Sequence, residues 1–300
     1  MDALVGLVKG IIPATVHIHA RIRPGHSSIP ALGKERMGSG AVIDQGGYIL
    51  TVNYVVLGAE AVTVACPDGR RFGGEVAGRD FESGLAVLRV PPVKGLPTLK
   101  LGSSIDLVLG QPIFIVASVG AVERRVSNGL VSYIGEFDAP WEYALEKAIM
   151  VTAPNPGFGG GSLFNLSGQI VGVVSLNLSE IAKPTMAIPV ELYQLHRLEL
   201  LEFGTVVSRP RRAWIGFYVE TTEQGVMISG LVPGGPAEAS DLKVGDVILA
   251  VGSVSVGSRR DLYEELWKRK AGEVVRFRIL RDGALMTLQV ISGDREAFYR

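Results

Sequence analysis

A single cysteine, Cys66, stands in 300 residues, so no internal disulfide can form and an oxidising compartment is not implied. It closes the alternating run Ala61 to Cys66 and reads as a small buried residue. Charge of one sign is also missing. The chain carries 30 basic and 30 acidic residues, which removes the electrostatic case for nucleic acid or an anionic membrane surface as partner. The densest basic run, Lys268-Arg269-Lys270, follows Glu264-Glu265 and reads as the solvated end of a helix. No apolar run approaches the ~20 residues of a membrane-spanning helix. The start, Met1-Asp2-Ala3-Leu4-Val5-Gly6-Leu7-Val8-Lys9, has an acid where a signal peptide has basic residues, and no small-residue cleavage site follows. As written the chain reads as cytoplasmic, or as exported or membrane-tethered if a leader was removed.

Apolar residues make up 47 % of the chain and glycine supplies 38 positions. The length suggests about two domains, or three small ones. Leu4 to Ile12 has the spacing of a short amphipathic helix stopping before Pro13. Val16-His17-Ile18-His19-Ala20-Arg21-Ile22 alternates like a half-buried strand with both histidines on its outward face. Such a pair can bind a metal, but two outward polar residues are the commoner reading, so no metal is expected. Pro24 to Met37 reads as a polar loop, and Gly38 to Thr51 as a β-hairpin turning near Gln45-Gly46. A second series of short strands begins at Ile113. Strands at this spacing, broken by turn residues and nearly free of helix, predict β-barrels or sandwiches. A helix opens after Pro189 and ends by Gly204.

The stretch Asn155-Pro156-Gly157-Phe158-Gly159-Gly160-Gly161-Ser162-Leu163-Phe164-Asn165 is a glycine-dense turn ahead of an apolar run. So many glycines admit backbone shapes that side chains forbid and allow close approach of another chain. The stretch resembles the nucleophile loop of the HtrA (Deg) family of trypsin-like serine proteases, written there Asn-Pro-Gly-Asn-Ser-Gly-Gly-Pro-Leu-Phe-Asn. Gly159 holds the place of the nucleophilic serine. Gly47-Tyr48-Ile49-Leu50-Thr51 also resembles the family. In Val52-Asn53-Tyr54-Val55-Val56 a tyrosine, Tyr54, takes the place of the general-base histidine. In Gly84-Leu85-Ala86-Val87-Leu88, Gly84 takes that of the orienting aspartate. From Trp214 onward the chain resembles a PDZ domain. Trp214-Ile215-Gly216-Phe217 fits the carboxylate loop, Gly245-Asp246-Val247-Ile248 a core segment, and Asp261 to Leu266 the groove helix.

The resemblance implies a mostly β chain: two six-stranded-type antiparallel barrels of the trypsin-like fold, about residues 1–108 and 109–204. A linker, 205–212, and a PDZ domain, 213–300, follow. Peptide hydrolysis by this mechanism needs a hydroxyl, a base active near pH 7 and a group that fixes the base. Gly159 has no side chain, a phenol with a pKa of ~10 is a poor base, and Gly84 has no carboxylate. The remnant oxyanion loop, Gly157 and Phe158, is expected to be collapsed or filled by Phe158.

The expectation is therefore a non-enzyme that binds protein C-terminal tails or unfolded polypeptides as adaptor, regulator or holdase. Tails would enter the PDZ groove, with Ile215, Gly216 and Phe217 donating to the terminal carboxylate. Ile215, Phe217, Val219, Leu262 and Leu266 would wall the apolar pocket, unless they are plain core. Arg211 or Arg212 would add charge there, or be solvated linker residues. No cofactor is expected. One alternative is an active endopeptidase with a relocated nucleophile, Ser162 served by His196 or His26. Another is a subunit in a homotrimer or in a mixed oligomer with active relatives.

Overall fold

In β1 (Thr15–Ile22) Val16, Ile18, Ala20 and Ile22 are buried, and this period-2 pattern sets the inside of the first barrel. The computed structural model describes residues 2–177 and 185–300 and forms two units. The first comprises Met1–Glu136 with Glu146–Val207, and the second Phe137–Leu145 with Ser208–Arg300.

In the first unit, α1 (Asp2–Ile11) leads through a 3-10 turn at Pro13 into β1. The stretch read as a polar loop contains a short helix, α2 (Ile29–Leu32), because Pro30 favours a first helical turn. There follow β2 (Glu35–Val42), β3 (Tyr48–Val52), α3 (Asn53–Val56), β4 (Ala59–Ala65), β5 (Arg71–Arg79) and β6 (Leu85–Arg89). The six strands close in the order β1-β2-β3-β6-β5-β4. Cys66 is buried and free.

A second barrel is built from β7 (Pro112–Ser118), β8 (Arg124–Ala139), β9 (Tyr143–Val151), β10 (Ser162–Phe164), β11 (Ile170–Asn177) and β12 (Thr185–Pro189). It closes as β10-β11-β12-β9-β8-β7 around Ile113, Ile115, Val151, Leu163, Val171 and Val174. Then α4 (Glu191–Phe203) ends at Gly204, whose φ of 73° is the left-handed cap that glycine adopts without strain.

The second unit is a five-strand path, β13 (Phe217–Thr222), β14 (Gly225–Leu231), β15 (Val247–Val251), β17 (Val274–Arg281) and β18 (Ala284–Ile291). The short β16 (Val254–Ser255) pairs with β15. Helix α5 (Arg259–Leu266) starts at a capping box in which Ser258 Oγ accepts from Asp261 N and Asp261 Oδ2 accepts from Ser258 N. It ends at Leu266, and the basic run follows in the turn after it, where Lys268 and Lys270 are exposed and Lys268 and Arg269 pair with Glu265. A last turn, α6 (Arg295–Phe298), is capped by Asp294.

Candidate functional site

Tyr54 lies on α3, directly after β3. Its hydroxyl donates to the Ser175 carbonyl at 2.9 Å, and burial pushes the phenol up to about 12, so it is a neutral donor at physiological pH. A Cβ built on Gly159 would stand 1.8 Å from Tyr54 Oη, which no real side chain tolerates. Gly84 precedes β6 with φ 79°, and its carbonyl accepts from Asn53 N at 2.7 Å, one residue from Tyr54. Tyr54 thus has Gly159 against its hydroxyl and Gly84 bonded to the residue before it.

The glycine loop is tied to the protein by its own amides. Gly157 N donates to Asn155 Oδ1 at 3.2 Å, Phe158 N to Ser118 O at 2.9 Å and Gly160 N to Val174 O at 2.7 Å. The Phe158 ring lies 5.6 Å from that of His17. His17 is therefore not outward as the alternation predicts: it is 7 % exposed and bonds Ser118 Oγ at 3.2 Å. Only His19 reaches the surface, where it meets Glu35 at 2.6 Å. Burial, with Arg124 next in effect, lowers the His17 imidazole to about 4, so it is neutral. Ser118 Oγ donates to Gly38 O and Ser39 Oγ to Phe158 O, so the bond to His17 is satisfied when the imidazole N–H donates. A hydroxyl that receives a histidine's proton in this way is not being deprotonated by it.

The other candidates for relocated chemistry stand apart in the fold. Ser162 is buried and begins β10, between Val173 of β11 and Val116 of β7. His196 sits on α4 beside Glu199, at 3.5 Å. His26 bonds Ser28 Oγ at 2.6 Å.

In the second unit, Ile215, Gly216 and Phe217 do point their amides at a carboxylate, and it belongs to the chain itself. Ile215 N donates to Glu142 Oε1 at 2.9 Å, and Gly216 N and Phe217 N to Oε2 at 2.7 and 3.3 Å. Gly216 has φ 78°, and a Cβ there would meet the Trp214 ring at 3.1 Å, so the curl of the loop requires glycine. Burial raises the Glu142 carboxyl to about 7, against the lowering effect of these amides and of Arg295. The five side chains expected to wall a pocket, Ile215, Phe217, Val219, Leu262 and Leu266, are at most 1 % exposed and belong to the core of this unit. Arg211 pairs with Glu296, and Arg212 lies over the Trp267 ring at 5.0 Å. The arginine beside the carboxylate is Arg295, which donates to Glu142 O at 3.0 Å. Sequence reading missed Glu142, Tyr263 and Arg295. The one local hint was an acid in the tight turn Pro140-Trp141-Glu142.

Residues 38–173 match the family model of the trypsin-like peptidase domain, and residues 213–291 that of the PDZ domain. With two closed barrels ahead of the smaller sheet, the class is a mostly β trypsin-like domain followed by a PDZ domain. More particularly, the chain is similar to HtrA/DegP-like proteins. It is 32 % identical over 285 residues to a probable periplasmic serine endoprotease DegP-like of Halomonas elongata, covering 90 % of this chain and 58 % of that protein. A protein of the same name in Hahella chejuensis is 30 % identical over 275 residues, covering 87 % and 57 %. The chain thus spans less than two thirds of the length of these relatives. Among solved structures it is similar to the HtrA-type protease AlgW with decapeptide, at TM-score 0.58 and 25 % identity over 97 % of this chain and 98 % of that one. The serine endoprotease from Yersinia pestis shares the fold at TM-score 0.58 and 24 % identity, over 97 % of both chains.

These findings correct two expectations. The relatives are named serine endoproteases and the family is proteolytic, so the expectation of a non-enzyme, drawn from three positions, is overturned. The same names say periplasmic, and nothing among them supports a cytoplasmic location. Among the described residues no helix is long and apolar enough to cross a membrane.

Proposed function

We propose that this chain is an HtrA/DegP-like protein that takes protein C-terminal tails in its PDZ groove, as part of periplasmic protein quality control. The observation that carries this reading is the convergence of three backbone N–H groups, from Ile215, Gly216 and Phe217, on one carboxylate. A terminal carboxylate has the same two oxygens, and a nest of this kind with an adjoining strand edge is how tails are held. The structure of the HtrA-type protease AlgW with decapeptide supports a peptide-binding role by similarity. In this reading residues 1–204 are the protease-like part, 205–212 the linker and 213–300 the PDZ domain. An array of peptides with free C-termini tests it, with Gly216→Arg as control. Equal binding by both proteins rejects it.

The relatives' names favour a second part of the function, serine endopeptidase activity. It is supported by similarity alone, since position 159 offers no hydroxyl, and a serine elsewhere would have to supply the nucleophile. Casein hydrolysis above a buffer blank, together with peptide mapping of a fluorophosphonate adduct, tests this part and locates the serine. Assembly as a trimer, or with relatives that keep the triad, is tested by co-purification from the source cell.

A further inference from the structure

The three amides that a chain end would use are already spent on Glu142. This glutamate is 3 % exposed, although a turn residue with a free choice keeps its carboxylate in water, where hydration is cheapest. It also adopts φ 54°, a left-handed conformation that non-glycine residues take only when their surroundings hold them there. The holding contacts come from three sides. Tyr263 of α5 accepts from Glu142 N at 2.9 Å and donates to Ala139 O at 2.7 Å. Arg295 of α6 donates to Glu142 O. Val219 of β13 donates to Pro140 O at 2.9 Å, the kind of main-chain bond that an added strand makes. Further along the same turn, Arg259 pairs with the Asp138 carboxylate and donates to its carbonyl at 3.1 Å. Ala144 packs against the apolar core.

Together these contacts reproduce what a bound tail requires: a carboxylate in the amide nest, a backbone bond to β13 and a clamp from the groove helix. We propose that the turn Ala139–Glu142 is a built-in ligand of the PDZ groove, with the Glu142 side chain in the place of a chain terminus, and that an external tail binds only by displacing it. The inference rests on the reading of this groove as a tail site. A tethered competitor acts at an effective concentration in the millimolar range, and the observed affinity for a tail falls by the fraction of molecules whose groove is open. The ligand class is a peptide with a free terminal carboxylate, in exchange with an internal acid.

The test uses the full chain, its Glu142→Ala variant, and Asp138→Ala, which loosens the turn while leaving Glu142 in place. The probes are nonapeptides with apolar last residues and free C-termini, each with an amidated copy, read by fluorescence anisotropy. Hydrogen–deuterium exchange is followed over Ile215 to Phe217. The expected result is at least tenfold tighter binding of free-carboxylate peptides by Glu142→Ala, a smaller gain by Asp138→Ala, no gain for amidated copies, and faster exchange over the loop. Equal affinity in wild type and both variants overturns the built-in ligand and leaves the tail site standing. Absence of binding by Glu142→Ala and Asp138→Ala alike, with exchange elsewhere unchanged, overturns the inference and the tail reading together.

Discussion

Tyr54 and residue 159 exclude one another: the phenol oxygen stands 1.8 Å from where the first side-chain carbon of residue 159 would be. Restoring a serine there therefore inserts atoms into filled space. Gly159→Ser should destabilise the chain by about 1–3 kcal/mol, the usual cost of overpacking. In a Tyr54→Ala background, which carries its own cavity cost, the same serine should cost little. Denaturant unfolding of both single variants and the double variant measures the coupling, and additive effects would show that the two positions do not compete.

His17 gives the first unit an acid sensitivity. Its folded pKa, about 4, lies below its value in the unfolded chain, ~6.5. The stability it lends is complete above ~6.5 and drains away as pH falls towards 4, because the unfolded chain takes up the proton first. His17→Gln should flatten this fall, by on the order of 1–2 kcal/mol after allowance for solvent screening. Thermal melts of both proteins from pH 7 to 4 check it, and parallel curves would reject it.

Glu142 works in the opposite sense. Its folded pKa is raised to about 7, so its contribution is full below the unfolded value of ~4.5 and is lost as pH rises through 7. The groups facing it are Arg295 from α6 and Tyr263 from α5, with the Asp138–Arg259 pair further along the turn. The melting temperature of the wild type relative to Glu142→Gln should decline between pH 4.5 and 7, then level off. A difference that is constant with pH, or one that rises, would show that the buried carboxyl is not the titrating group.

Asp246 is 1 % exposed and receives Arg281 through Nε at 2.6 Å and Nη2 at 2.7 Å, besides the Lys243 amide at 2.8 Å. Removing one partner of such a pair leaves a buried charge without compensation. Arg281→Ala, which leaves the buried Asp246 carboxylate with the Lys243 amide alone, should cost about 3–5 kcal/mol, measurable by denaturant unfolding. A loss below ~1 kcal/mol would place the pair with ordinary surface ion pairs.

Features written in local order were legible from the sequence. The alternation of Val16, Ile18 and Ala20 marks a strand, and Gly204 and the Ser258/Asp261 pair mark helix ends. The motif order of two barrels followed by a PDZ domain is equally plain. What escaped depends on residues far apart in the chain. His17 alternates outward, yet the Phe158 ring covers it. Glu142 and Gly216 lie 74 positions apart, and nothing in Ala139-Pro140-Trp141-Glu142 distinguishes a ligand from a solvated turn. Ile215 and Phe217 alternate with Gly216 as pocket walls would, and the same alternation serves a core.

Every polypeptide in a cell ends in a carboxylate, so a nest reading that group alone would be saturated by intact neighbours. By carrying its own acid in the turn after β8, the chain sets a threshold. Scarce or weakly held ends leave the groove closed, and only an abundant supply of well-fitting ends opens it.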